Sequence, residues 1–172
     1  MATRIIDKDL GYKKILFNIN KVKKKPYVNV GFLDGKKGNN IHNASTFNGE
    51  KLRVVDIAVT HEYGEGVPNR SFMRSTYEEN FNKWIKESKE LSFKIISKDI
   101  TLKKALSTVG MMIKKDIKNK IKKGPFKPLS QLTIENRQIR KINGGPSPKT
   151  KDKPLRDTLQ MMNSIESESV VK

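Results

Sequence analysis

Residues 99–124, "DITLKKALSTVGMMIKKDIKNKIKKG", constrain the fold more than any other stretch of this chain. Leu102, Leu106, Val109, Ile113, Ile117 and Ile121 recur at threes and fours, which lays one apolar stripe along a helix. Asp99 or Thr101 suits the cap at its start, and Gly124-Pro125 stops it. The opposite face carries Lys114, Lys115, Lys118 and Lys122. Like charges at i,i+4 cost roughly 0.2–0.5 kcal/mol per pair in an isolated helix. The helix dipole recovers part of that near the C-terminus, and an acidic partner could offset the rest.

A second long helix is predicted from Asn69 or Ser71, with Met73, Tyr77, Phe81, Trp84, Ile85, Leu91 and Ile95 in helical register and Pro68-Asn69 at its start. Upstream, Ile15 to Val22 is amphipathic, and "YVNVGFL" (27–33) alternates like a half-buried strand. "DGKKGNNIHNASTFNGEK" reads as a long surface loop. "KLRVVDIAVTHEYG" (51–64) is ambiguous, because its β-branched residues favour a strand while Val55, Ala58, Val59 and Glu62 fit a helix ended by Gly64. The short helix is the preferred reading.

Downstream, "PFKPLSQLTIENRQIRK" (125–141) predicts a turn and a short helix, and "INGGPSPKTKDK" (142–153) a flexible loop. Pro154 suits the first position of a last helix with Leu155, Leu159, Met162 and Ile165 on its apolar face. "SIESESVVK" alternates like a strand, and one so short needs a sheet edge, which a neighbouring subunit could supply.

Only 35% of the residues are hydrophobic and 31% are charged, so the core is modest and the solvated or partner-facing surface large. Codon bias could favour lysine over arginine, but not 36 basic against 18 acidic residues. The net charge of +18 points to polyanions or acidic protein surfaces as partners. The absence of cysteine excludes disulfides, thiolate metal sites and a cysteine nucleophile. The N-terminal residues lack a signal-peptide core, and no apolar run is long enough to span a membrane. The expectation is a soluble protein made in a reducing cytoplasm, with no membrane partner.

Residues 61–80, "HEYGEGVPNRSFMRSTYEEN", look most like a site. His61-Glu62 suggests a zinc protease, but that chemistry needs a second histidine one turn on, where Glu65 stands. The other histidine, His42, lies in a polar stretch, so His61 reads as a structural residue at a helix end and no metal is expected. Ser71, Ser75 and Ser130 lack a nucleophile elbow, and "GEG" and "DGKKG" lack the ending of a phosphate loop. Asp56, Glu62 and Glu65 read as solvated loop acids. Nothing argues for an enzyme or a cofactor. Lysines supply the phosphate attraction of a nucleic-acid binder, yet no recognition module is present and aromatics do not interleave with the basic runs. "KKDIKNKIKK" is first a solvated face, with acidic protein or passing DNA as its alternative contacts.

Three blocks in order carry a family resemblance. The first is "VVDIAVTHEYGEGVPNRSFMR", through His61, Glu62, Tyr63, Gly64, Val67, Pro68, Arg70, Phe72 and Arg74. The second is "PFKPLSQLTIENR", through Pro128, Leu129, Ser130, Thr133 and Arg137. The third is "KPLRDTLQMMNSI", through Lys153, Pro154, Leu155, Thr158, Ser164 and Ile165. Together they resemble bacteriophage neck and tail-completion proteins, also labelled virion-morphogenesis or minor tail proteins. Ser71 departs where that family favours proline, Met161 where it favours leucine, and Leu159 where it favours glycine; the last suggests a helix that continues where relatives turn.

The resemblance implies a single α+β domain over residues 1–172, a small mostly antiparallel sheet packed against two long amphipathic helices, with extended loops or arms. It implies a non-enzymatic virion protein, assembled in the host bacterial cytoplasm, that forms a hexameric ring capping the tail or joining it to the head. Its partners would be further copies, the head connector or adaptor, and the tail tube or terminator. The 142–153 loop, the "DGKKGNN" loop and both termini would serve as arms. In that family Gly64 ends a helix, Pro68 sets the chain direction, Phe72 enters the core, and Arg70 and Arg74 reach nearby carboxylates or carbonyls. Six against twelve subunits, and neck connector against tail terminator, stay open, and a basic DNA-binding protein is the rival reading.

Overall fold

The computed structural model describes residues 12–33, 40–47, 50–97, 99–150 and 152–171. In chain order, α1 (Tyr12–Lys23) is followed by β1 (Tyr27–Gly31), β2 (Ile41–Phe47), β3 (Glu50–Arg53) and α2 (Val54–Tyr63). Two long helices come next, α3 (Met73–Ile96) and α4 (Leu102–Lys123). The chain ends with α5 (Gln131–Ile142), α6 (Gln160–Asn163) and β4 (Glu166–Val170). The class is α+β.

The central element is α4, whose buried positions are Ala105, Gly110, Ile117 and Ile121. Thr101 caps it, its hydroxyl accepting the Lys104 N–H at 3.2 Å. On one side α4 packs along α3. There the Trp84 indole N–H and the Lys83 ammonium both donate to Asp116 Oδ2, each at 2.8 Å, and Lys120 pairs with Glu79. On its other side α4 carries the β1–β4 ribbon, and Lys114 reaches across to Glu166 at 2.8 Å.

Gly110 is why the ribbon can lie so close. A Cβ at that position would sit 2.8 Å from Val28 Cγ2 and 3.1 Å from Ser167 Cβ, inside normal contact distance. A glycine in mid-helix costs about 1 kcal/mol of helix propensity relative to alanine. Here the missing side chain is space that the strands occupy.

The remaining core gathers beside this layer. Val54 and Ala58 from α2, Phe72 from the corner before α3, Ile117 and Ile121 from α4, and Leu155, Met161, Met162 and Ile165 from the last segment form one buried cluster. Phe32 closes it edge-on to Phe72, ring centroids 6.3 Å apart.

The expected small antiparallel sheet packed against long helices is present, while several finer expectations need correction. The strands form two separate two-stranded antiparallel ribbons, β1–β4 and β2–β3. The second ribbon occupies part of the stretch read as a surface loop, with Thr46 opposite Lys51, Phe47 opposite Glu50, and a register shift before Ile41 opposite Arg53. Its polar residues hide the strand pattern. The ambiguous 51–64 stretch divides, its first residues finishing β3 and the rest forming α2.

The helix predicted from Pro154 is reduced to four residues, Gln160–Asn163. Leu155 and Leu159 both take left-handed backbone, at φ 60° and 61°. The chain therefore turns at Leu159, where a continuing helix was expected, and leucine adopts there a conformation that favours glycine. The C-terminal strand needs no neighbouring subunit for its edge, because β4 pairs with β1 from Tyr27–Val170 to Gly31–Glu166. It is not an arm. The 142–153 segment is tethered too: Arg137 Nη1 donates to the Thr150 and Lys153 carbonyls, and Arg140 Nε to the Pro146 carbonyl. The arms expected at residues 1–11 and 34–39 lie outside the described residues.

Candidate functional site

The corner between α2 and α3 is built on Glu62. The α2 helix ends at Gly64, which takes φ 81° and returns its N–H to the Thr60 carbonyl at 2.8 Å. The chain then loops out and back, and the Arg70 N–H closes on the His61 carbonyl at 2.8 Å. Asn69 Oδ1 accepts the Ser71 N–H at 3.0 Å, a local turn that aims the chain into α3. Helix α3 starts at Met73, just after Ser71, the later of the two expected starts, and its cap comes from outside the helix.

That cap is the Glu62 carboxylate. It accepts the backbone N–H groups of Phe72 at 2.8 Å, Met73 at 2.9 Å and Arg74 at 2.9 Å, and the Ser71 hydroxyl at 2.7 Å. Three otherwise unmatched helix donors meet one negative charge, the arrangement that helix ends favour. Burial alone would raise the Glu62 pKa, but the Met73 and Arg74 amides, the Ser71 hydroxyl and the Phe72 amide together hold it below its ordinary value. Glu62 is thus a buried structural acid and not the solvated loop acid expected. The sequence hides this because its partners lie nine to twelve residues further on.

Arg70 and Arg74 leave this corner in different directions. Arg74 turns back to Glu62, while its guanidinium also sits 4.9 Å from the Tyr63 ring centre. Arg70 is buried and donates from Nε to the Lys127 carbonyl at 3.1 Å and from Nη2 to the Pro128 carbonyl at 3.4 Å. It ties the α2–α3 corner to the segment leading into α5.

Between these elements lies a cleft of about 480 Å³. The first resembling block contributes His61, Val67, Pro68 and Arg70 to its wall. The second contributes Leu129, Ser130, Thr133 and Arg137, and the third Leu155 and Thr158. Blocks well separated along the chain therefore face one another across a single concavity. Its ionised lining is Arg70, Arg137, Arg140 and Asp157, three guanidinium groups against one carboxylate.

Arg140 holds Asp157 with two bonds, Nη1 to Oδ2 at 2.9 Å and Nη2 to Oδ1 at 2.6 Å. Arg137 Nε lies further away, 3.7 Å from Asp157 Oδ1. Burial, and then the charge of Arg137, pull the Arg70 pKa below its ordinary value. Burial lowers that of Arg137 as well, with Asp157 opposing and Arg140 reinforcing the shift. Arg140 and Asp157 escaped sequence reasoning because a bidentate pair spanning a loop leaves no local spacing signal.

The lysines read as one partner-facing row are elsewhere and are not equivalent. Lys114 is half-buried and committed to Glu166, and Lys118 is half-buried, while Lys115 and Lys122 are exposed. None lines the cleft. Among the described residues no three His, Asp or Glu side chains gather as a metal site would require, and no helix is long and apolar enough to cross a membrane. Comparison of the chain with protein-family models, with curated proteins and with solved structures returns no match to any of them.

Proposed function

We propose that this chain is a structural subunit of the bacteriophage neck or tail-completion class, working by assembly into a ring at the junction of head and tail. The observation that carries the reading is an uncovered apolar stripe on α3. Tyr77, Phe81 and Ile85 follow one another at successive turns and are 53%, 41% and 42% exposed, while Trp84 beside them is buried toward α4. In a chain so rich in lysine, large apolar side chains in a row on the surface mark a face that another protein covers. Leu16 and Phe17 on α1, which packs against α3, extend the same kind of surface.

The three resembling blocks support the reading because they build one corner and one cleft. Ion pairing by Lys83, Lys114 and Lys120 with Asp116, Glu166 and Glu79 takes three of the cations on and beside α4 into the fold. That leaves less of the basic face for a DNA-binding role, though contact with passing DNA through Lys115 and Lys122 fits a ring around the genome's path.

Mass photometry and electron microscopy of the purified chain test the reading. The expected result is a closed ring of six copies that Phe81→Glu converts to folded monomers. A monomeric wild-type protein whose DNA affinity falls steeply with salt would overturn it in favour of the DNA-binding class.

A further inference from the structure

The arginine cleft holds more positive charge than the fold uses. Arg70 and Arg137 are only 4% and 7% exposed and both line this opening, while Arg137 also lines a neighbouring hollow beside Lys141 and Ile142. Arg70 spends Nε and Nη2 on two carbonyls, which leaves Nη1 without an acceptor among the described residues. Arg137 spends Nη1 on two carbonyls and keeps Nε at 3.7 Å from Asp157, which leaves Nη2 likewise. The nearest carboxylate, Asp157, is already gripped by Arg140 in a bidentate pair. Two buried guanidinium groups, the charge of Arg137 weakening the hold of Arg70 on its proton, present free donors to one shared cleft, an arrangement that suits an anion.

The walls indicate which anion. Val67, Leu129, Leu155 and Met161 line the cleft together with the arginines. A duplex backbone presents phosphates along an outer surface and cannot enter a concavity of about 480 Å³. A protein segment carrying an acidic side chain beside an apolar one satisfies both the arginines and the walls. We propose that the cleft between α2, α5 and the 155–161 segment is a docking site for such an acidic–apolar segment of a partner protein, with Arg70 and Arg137 as its carboxylate receptors. The site is independent of the α3 stripe, so it stands or falls separately from the ring reading.

The test is nuclear magnetic resonance titration of the full chain with the peptide N-acetyl-Leu-Glu-Leu-amide, its Gln counterpart and inorganic phosphate. The expected result is saturable shifts at Thr133, Leu155 and Thr158 and at the Arg70 and Arg137 Nε–H signals. The Gln peptide should bind about tenfold more weakly, as loss of a charge-assisted hydrogen bond implies. Asn136, exposed on α5 at the cleft lining, allows a blocking variant that leaves every arginine in place. Asn136→Trp should abolish saturation while the rest of the spectrum keeps its native dispersion. Equal binding of the Glu and Gln peptides would overturn the proposal. So would shifts confined to Lys115 and Lys122, or phosphate binding at the arginines tighter than the peptide.

Discussion

Arg74 grips Glu62 at two places, Nε at 3.3 Å from its carboxylate and Nη2 at 2.9 Å from its carbonyl. A residue in the first turn of α3 thereby holds the residue that caps it. The carboxylate and the last turn of α2 are fixed by one side chain, which helps set the angle between the two helices.

Removing that acid should loosen the corner. Glu62→Ala leaves three helix N–H groups without a partner, that of Phe72 buried and those of Met73 and Arg74 part-buried, and the expected loss is about 2–3 kcal/mol in urea denaturation. Trp84 is the chain's single tryptophan and packs between α3 and α4, so its fluorescence reports the transition. Arg74→Ala, with an exposed guanidinium, should cost less than 1 kcal/mol or about that.

Acid should act on the same contact. The Glu62 pKa is depressed in the folded protein relative to its ordinary value of 4.5, so the unfolded chain takes up the proton first. Its stabilising contribution is therefore complete above that value and lost as pH falls through the lower folded one. Wild-type stability should decline through this window, and Glu62→Gln should decline less steeply. Asp56, held down chiefly by the Arg53 side-chain bond, is solvent-exposed and should add little.

Gly110 should not tolerate a side chain. Alanine there gains about 1 kcal/mol of helix propensity but must displace Val28 and Ser167, so the net change is a loss smaller than that of a larger residue. Gly110→Leu should cost more than about 3 kcal/mol and release hydrogen-exchange protection in β1 and β4 while α3 stays protected.

Leu159 offers the opposite case. Its left-handed backbone costs roughly 1–2 kcal/mol for an L-residue. Leu159→Gly relieves that strain while giving up a half-buried side chain, so denaturation should place it within about 1 kcal/mol of wild type, far from the usual penalty of a core leucine truncation.

These residues also mark how far the sequence is legible. The two long helices follow from spacing, since Leu102 to Ile121 and Met73 to Ile95 repeat at threes and fours. Gly64 is readable as a helix end because a left-handed C-terminal residue selects glycine locally. The Glu62 cap is not readable, because its partners lie beyond a loop whose path no periodicity encodes. The β2–β3 ribbon is hidden by Asn, Ser and His at strand positions, and the turn at Leu159 by a residue type that ordinarily avoids it. The arginine cleft needs three separated segments to meet, and only tertiary packing reveals that Arg70, Arg137 and Arg140 share one opening.

The pairing of Tyr27 with Val170 sets an order of events during synthesis. Strand β1 leaves the ribosome early, yet its hydrogen-bonding partner is made only after α1 through α6 have emerged. Until then the face of α4 around Gly110 is bare, and the edge of β1 stays open to any extended chain nearby. The long helices can form as they appear, but closure of the β1–β4 ribbon waits for β4.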